Sequence, residues 1–200
     1  GRESGQKLLF PLFYGRSEDS CFIIAARVGA PEHPGWYKSI LANAWVEAAR
    51  DAFMSDRFRV YTSADVIGVE LGGALKNVVA IACGISDGLG SGQNAKAALM
   101  TRALAEITRL GVACGAEAMT FLGLAGIGDL IATCSSRQSR NNTVGLELGK
   151  GRPISDIVGE MKMVAEGVKS CASVLSLAEE HGVEMPITEQ VVEVCHRGRS

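Results

Sequence analysis

No predicted strand in this chain is followed by G-x-G-x-x-G, so the usual turn that grips a dinucleotide pyrophosphate is missing. The nearest match, GLAGIGDLIA at 123–132, has helical flanks on both sides and lacks a correctly placed acidic residue after a second strand. It reads as a helix–turn–helix junction. GLGSGQ at 88–93 follows a helix and is a weak phosphate-loop candidate. The six cysteines, at 21, 83, 114, 134, 171 and 195, form no C-x-x-C pair, and the three histidines lack ligand spacing to them. Those absences argue against zinc. No basic block stands out, and the formal net charge is −2, which argues against nucleic acid or an anionic membrane surface as partner. No uninterrupted apolar run is long enough to cross a bilayer. The short apolar patch near the N-terminus is broken by Pro11, so no secretory signal is expected. Scattered thiols inside apolar patterns fit a reduced compartment, and a cytoplasmic protein is expected.

What is present is ordinary globular material, 47% hydrophobic and 21% charged, enough for a substantial core. Residues 1–20 have no clear period and form a poorly defined N-terminal segment. SCFIIAARV then reads as a short buried strand. WYKSILANAWVEAARDAFM carries apolar residues at helical spacing, and FRVYTS alternates like a strand. Residues 21–62 are thus expected to be a β-α-β fragment. From Ser63 onward the pattern is helix after helix, so 63–200 is expected to be an all-helical domain. Ser63 is a candidate N-cap with Asp65 in the first turn, and Asn94 a candidate cap for the second long helix.

The stretch GVELGGALKNVVAIACG, 68–84, sets a charged lysine in apolar surroundings. On a helix, Lys76 shares its face with Gly72 and Gly73 one turn before, Val79 and Ala80 one turn after, and Cys83 beyond. Two glycines inside a helix cost about 1 kcal/mol each, a cost usually offset by close approach of another backbone or a ligand. Burial would push the lysine toward its neutral form, as a general acid/base in carbonyl–alcohol chemistry requires. A snorkelling lysine, or an ion pair with Glu70, is the plainer alternative. Asp129 and Thr133, four apart, share one face of a short helix, where capping is the plain reading. In SSRQSRNN, Ser139, Arg140 and Asn141 present hydrogen-bond donors suited to a phosphate, or simply make a solvated basic loop. Glu166 opens a helix, a favourable place for a negative charge.

Together these segments resemble the NAD(P)-dependent glycerol-3-phosphate dehydrogenases. The similar stretches run from FRVYTSADVIGVELGGALKNVVAIACGISDGLG through NAKAALMTRALAEITRLG, FLGLAGIGDLIATCSSRQSRNNTVG and VAEGV to HGVEMPIT, in the family's order. The resemblance implies a mainly α fold, a helical bundle-like substrate domain of the 6-phosphogluconate dehydrogenase C-terminal kind. Residues 21–62 would be a remnant of the family's α/β nucleotide-binding domain. It further implies that Lys76 accepts the proton of the 2-hydroxyl of glycerol 3-phosphate while hydride passes to NAD or NADP. Asn77, Asp129, Thr133, Ser139, Arg140 and Asn141 match substrate-site positions; Arg140, Val164 and Glu166 match positions that touch the cofactor. A small phosphorylated substrate and a homodimer are implied, with no nucleic acid and no membrane insertion. The family's glycine-rich loop, its SGP segment and the lysine from its nucleotide domain have no counterpart here, since Lys7 and Lys38 lie in other contexts. The chain is therefore expected to be a truncated form, inactive alone. Another β-hydroxyacid-type dehydrogenase, or a non-catalytic remnant that dimerises or binds ligand, stays open at this point.

Overall fold

The structure, a computed structural model, describes residues 12–17, 20–24, 50–56, 58–161 and 165–198. Strands β1 (Leu12–Ser17) and β2 (Ser20–Ile24) pair antiparallel, with Leu12 opposite Ile24 and Ser17 opposite Ser20. So part of the segment expected to lack regular structure is a strand. Of the second expected strand, only Phe58 pairs, in an isolated bridge with Ser55. FRVYTS has the alternation of a strand, but among the described residues no strand lies beside it to satisfy its backbone. The helix expected between SCFIIAARV and FRVYTS, WYKSILANAWVEAARDAFM, lies mostly outside the described residues.

The rest is helical, as expected. From Val66 on, the described residues form α1 (Val66–Gly88), α2 (Gly92–Ala113), α3 (Asp129–Ser135), α4 (Arg140–Gly149), α5 (Ile154–Glu160), α6 (Glu166–Glu180) and α7 (Pro186–His196). Between α2 and α3 lie a 3-10 turn (Ala118–Leu122) and a π turn (Leu124–Gly128). Helix α1 is the axis, packed against α2, α3, α4, α6 and α7. By length and composition alone it could cross a membrane, although Glu70 and Lys76 interrupt its apolar sequence. Its neighbours explain that composition: Leu75, Val78, Ile81 and Cys83 are buried in the common core with Leu110, Phe121, Leu130, Val144 and Val191.

The cap of α1 is Asp65, not Ser63. Its carboxylate accepts from the Gly68 amide at 2.9 Å, and also from the Glu117 amide at 2.8 Å and Thr120 Oγ1 at 2.6 Å. One side chain thereby closes the helix start and ties the 3-10 turn to it. Likewise α2 starts at Gly92 with Ser91 as N-cap, not at Asn94. Glycines at positive φ (Gly90, +71°; Gly92, +83°) make the turn earlier than the side-chain pattern suggests.

Helices α1 and α4 approach backbone to backbone. A Cβ at Gly145 would sit 2.0 Å from the Ile81 carbonyl oxygen, and one at Gly84 would sit 2.2 Å from that of Asn142. Gly88 and Gly149 face Leu146 and Ile85 in the same way, each at 2.4 Å. The glycines lie four apart in each helix, so each pair forms a flat strip on one face. This contact holds α4 along the last two turns of α1.

On the far side of α2, the buried carboxylate of Glu106 accepts from the amides of Ile187 (2.8 Å) and Thr188 (3.4 Å), closing the start of α7. Burial raises the Glu106 pKa, against the lowering effect of those two amides and of Arg109. The folded chain therefore holds this proton more tightly than the unfolded chain. Its stabilising contribution is complete below the ordinary carboxylate value and declines as pH rises through the raised value. Urea melts should show that decline, and Glu106→Gln should flatten it. Equal slopes in both chains would remove Glu106 as the cause.

Candidate active site

Lys76 leaves the middle of α1 and is 5% exposed. It meets the Asp129 carboxylate at the start of α3, itself 8% exposed, in an ion pair through Nζ and Oδ2. Thr133, one turn on, donates its hydroxyl to the other oxygen, Oδ1, at 3.3 Å. The local sequence offers Lys76 either burial or a pairing with Glu70. The structure sets the Asp129 carboxylate against the amine. A buried ammonium and carboxylate held together are stable only with partners of this kind.

Gly72 explains why α1 tolerates a small residue one turn before the lysine. A Cβ there would lie 2.6 Å from the Ala125 carbonyl oxygen of the π turn. The close approach that offsets the helix cost is thus made by backbone, and it brings Asp129 within reach of Lys76.

The next residue on α1, Asn77, continues the site toward α4. Asn141 Nδ2 donates to Asn77 Oδ1 at 3.0 Å, and Asn141 Oδ1 accepts from the Gly167 amide of α6 at 2.9 Å. Ser139 is the N-cap of α4, its Oγ accepting from the Asn142 amide at 3.3 Å. Asn142 is buried and donates Nδ2 to the Cys134 carbonyl at 3.1 Å, joining α4 to the end of α3. Arg140 and Glu166, the first residues of α4 and α6, are exposed. Helices α1, α3, α4 and α6 thus meet at one place, with a buried ion pair inside and charged groups at the rim.

The structure therefore gathers Lys76, Asp129 and Thr133 into one cluster and Asn77 with Asn141 into a second, adjoining one. Ser139 and Arg140 flank Asn141 in sequence, and Glu166 precedes Gly167. Val164 lies outside the described residues. The sequence argument missed Asn142 and Gly167, whose roles depend on partners far away in the chain. It also missed the glycine strips of α1 and α4, although the four-residue spacing of glycines in each helix was a readable sign. Among the described residues no group of His, Cys, Asp or Glu is arranged to hold a metal.

Residues 65–200 match the family model described as NAD-dependent glycerol-3-phosphate dehydrogenase C-terminus. Residues 1–57 match a second model, F420H(2)-dependent quinone reductase. A glycerol-3-phosphate dehydrogenase [NAD(P)+] of Citrifermentans bemidjiense is 60% identical over 151 residues, 76% of this chain and 45% of that protein. One from Streptomyces coelicolor is 62% identical over 143 residues, 72% of this chain and 43% of that protein. The crystal structure of the Coxiella burnetii glycerol-3-phosphate dehydrogenase aligns with a TM-score of 0.75 at 39% identity, covering 90% of this chain and 51% of that one. The chain spans a little under half the length of these curated relatives. With a match over 65–200, the chain belongs to the NAD-dependent glycerol-3-phosphate dehydrogenase family, and that stretch is the family's C-terminal domain.

Proposed function

We propose that residues 63–200 form the substrate half of an oxidoreductase interconverting sn-glycerol 3-phosphate and dihydroxyacetone phosphate. The observation that carries this reading is the buried Lys76–Asp129 pair beside the donor-bearing edge of Asn77, Asn141 and Arg140. In the reducing direction, Lys76 as an ammonium donates a proton to the C2 carbonyl oxygen. In the oxidising direction, its neutral amine takes the proton of the C2 hydroxyl. Asp129 fixes the direction of the Lys76 side chain, and Thr133 holds Asp129 in turn. Arg140, with Asn141 and the Ser139 hydroxyl proton left unused by capping, grips the phosphate. Binding energy from that remote group holds the reacting carbon against Lys76. The burial of Lys76 keeps water from the proton transfer.

The rim fits a nicotinamide cofactor at one edge only. Arg140 and Glu166 offer an exposed cation and an exposed carboxylate there, while the described residues form no glycine-rich strand-to-helix turn. NAD or NADP, when bound at that edge, supplies the acceptor for hydride from C2. For residues 21–62 the nucleotide-domain reading rests on pattern alone, and the quinone-reductase match over 1–57 competes with it. The free thiols at 83, 114, 134, 171 and 195 support a reduced, cytoplasmic setting.

The test is oxidation of NADH by dihydroxyacetone phosphate, followed by absorbance, for this chain and for a protein that also carries a family nucleotide-binding half. Turnover by the longer protein is expected. No turnover there, with both halves folded, would remove the reading. In that protein Arg140→Ala should raise KM for dihydroxyacetone phosphate about tenfold or more and change kcat less, since the guanidinium grips a group remote from C2. An unchanged KM would take Arg140 out of the phosphate grip.

A further inference from the structure

We infer that the backbone amide of Gly167 sets which way both site asparagines face, so that Gly167 is a positioning residue for the substrate site. The inference rests on the substrate reading above only where it names the ligand.

Helix α6 has Ala165 as its N-cap, a side chain with nothing to accept a hydrogen bond. The first amides of a helix need acceptors from outside it. The Gly167 amide finds one across the site, in Asn141 Oδ1 of α4 at 2.9 Å. Asn141 therefore caps a helix to which it does not belong.

A backbone N–H can only donate. It fixes the otherwise ambiguous amide of Asn141 with oxygen toward α6 and nitrogen toward α1. Asn141 Nδ2 then needs an acceptor and takes Asn77 Oδ1 at 3.0 Å. That in turn fixes Asn77, whose Nδ2, among the described residues, makes a long contact to the Gly73 carbonyl, 3.5 Å away. One backbone proton thus orders two side chains in series. The series ends with an NH2 group, weakly engaged, on the residue next to Lys76.

Residue 167 must be glycine for the series to close. A Cβ there would lie 2.6 Å from the Asn77 carbonyl oxygen and 2.9 Å from Asn141 Oδ1. Any side chain would push α6 off both asparagines. The donor character of Asn77 suits an acceptor-rich ligand such as a phosphorylated alcohol, and rejects one that presents donors at that point.

The test uses the whole 200-residue chain with 15N-labelled asparagine and glycine, observed by NMR. Asn141→Ala should speed hydrogen exchange at the Gly167 amide about five- to tenfold, the loss of one hydrogen bond. Asn141→Asp should restore slow exchange, because a carboxylate still accepts. That same carboxylate cannot donate to Asn77, which must then turn its Nδ2 inward. On adding glycerol 3-phosphate, the Asn77 side-chain NH2 signals should shift in the wild type and stay in place in Asn141→Asp. Exchange at Gly167 that ignores Asn141→Ala would overturn the inference, as would a glycerol 3-phosphate-induced Asn77 shift of the same size in wild type and Asn141→Asp. If the exchange pattern holds while wild-type Asn77 ignores glycerol 3-phosphate, the amide series is upheld and the substrate reading fails.

Discussion

Replacing Lys76 by alanine is expected to lower turnover by about 10²–10⁴, the range for loss of a positioned general acid/base. The measurement needs a protein that carries the nucleotide-binding half as well, assayed with NADH and dihydroxyacetone phosphate. A second effect accompanies the first. Removing the ammonium leaves the Asp129 carboxylate, 8% exposed, without its cation, and breaking a buried pair costs about 3–5 kcal/mol. Low activity alone would thus not separate chemistry from folding. The double variant Lys76→Met/Asp129→Leu does, because it replaces both charges with apolar groups of similar volume. Its stability in denaturant melts should return to near that of the wild type, or exceed it. Its turnover should stay as low as that of Lys76→Ala. If the double variant regains both, Lys76 is a structural ion-pair partner and the proton must come from elsewhere.

The other large effect is expected at Gly145, far from any charge. Alanine is the better helix former by about 1 kcal/mol, so propensity alone favours the substitution. Packing opposes it. The new methyl would meet the Ile81 carbonyl oxygen at 2.0 Å and the Ile85 amide nitrogen at 2.9 Å, both backbone atoms that no rotamer change can move. Helices α1 and α4 would have to separate, and overpacking of this kind costs about 1–3 kcal/mol or more. Packing wins. Gly145→Ala should lower the denaturation midpoint clearly, while Gly159→Ala in α5, with nothing within 4 Å of its added Cβ, should hold or raise it. The same separation would carry Arg140 and Asn141 away from Lys76, so ligand affinity should fall along with stability. Equal midpoints for the two alanine variants would show that the glycine strips do not govern the contact.

Much of this was legible in the sequence, where the signal was local. The helical period around Lys76 and the spacing of Asp129 and Thr133 placed each on the right face of its element. Pro186 in the first turn of α7 and Gly182, at positive φ just beyond α6, are local signals of the same kind. What failed or stayed hidden was non-local. The partner of Lys76 is 53 positions away, so counting threes and fours leads to Glu70 as the ion-pair candidate, and only the family resemblance brings Asp129 to the same site. Asp65 outranked Ser63 as the cap because it also serves Glu117 and Thr120, which sequence near the cap does not reveal. FRVYTS kept the alternation of a strand, yet a strand exists only when another pairs with it, and Phe58 alone found a partner. Gly167 drew no notice in the sequence because its importance lies in two carbonyl groups that approach it from α1 and α4.

The central claim is that one bound molecule faces both the Lys76 amine and the Arg140–Asn141 edge. Calorimetric titration of the whole chain with sn-glycerol 3-phosphate tests it without any cofactor. The account predicts saturable binding that weakens about tenfold or more in Lys76→Met/Asp129→Leu and, separately, in Arg140→Ala. Binding that neither change disturbs, or no binding to a folded wild-type chain, would contradict it.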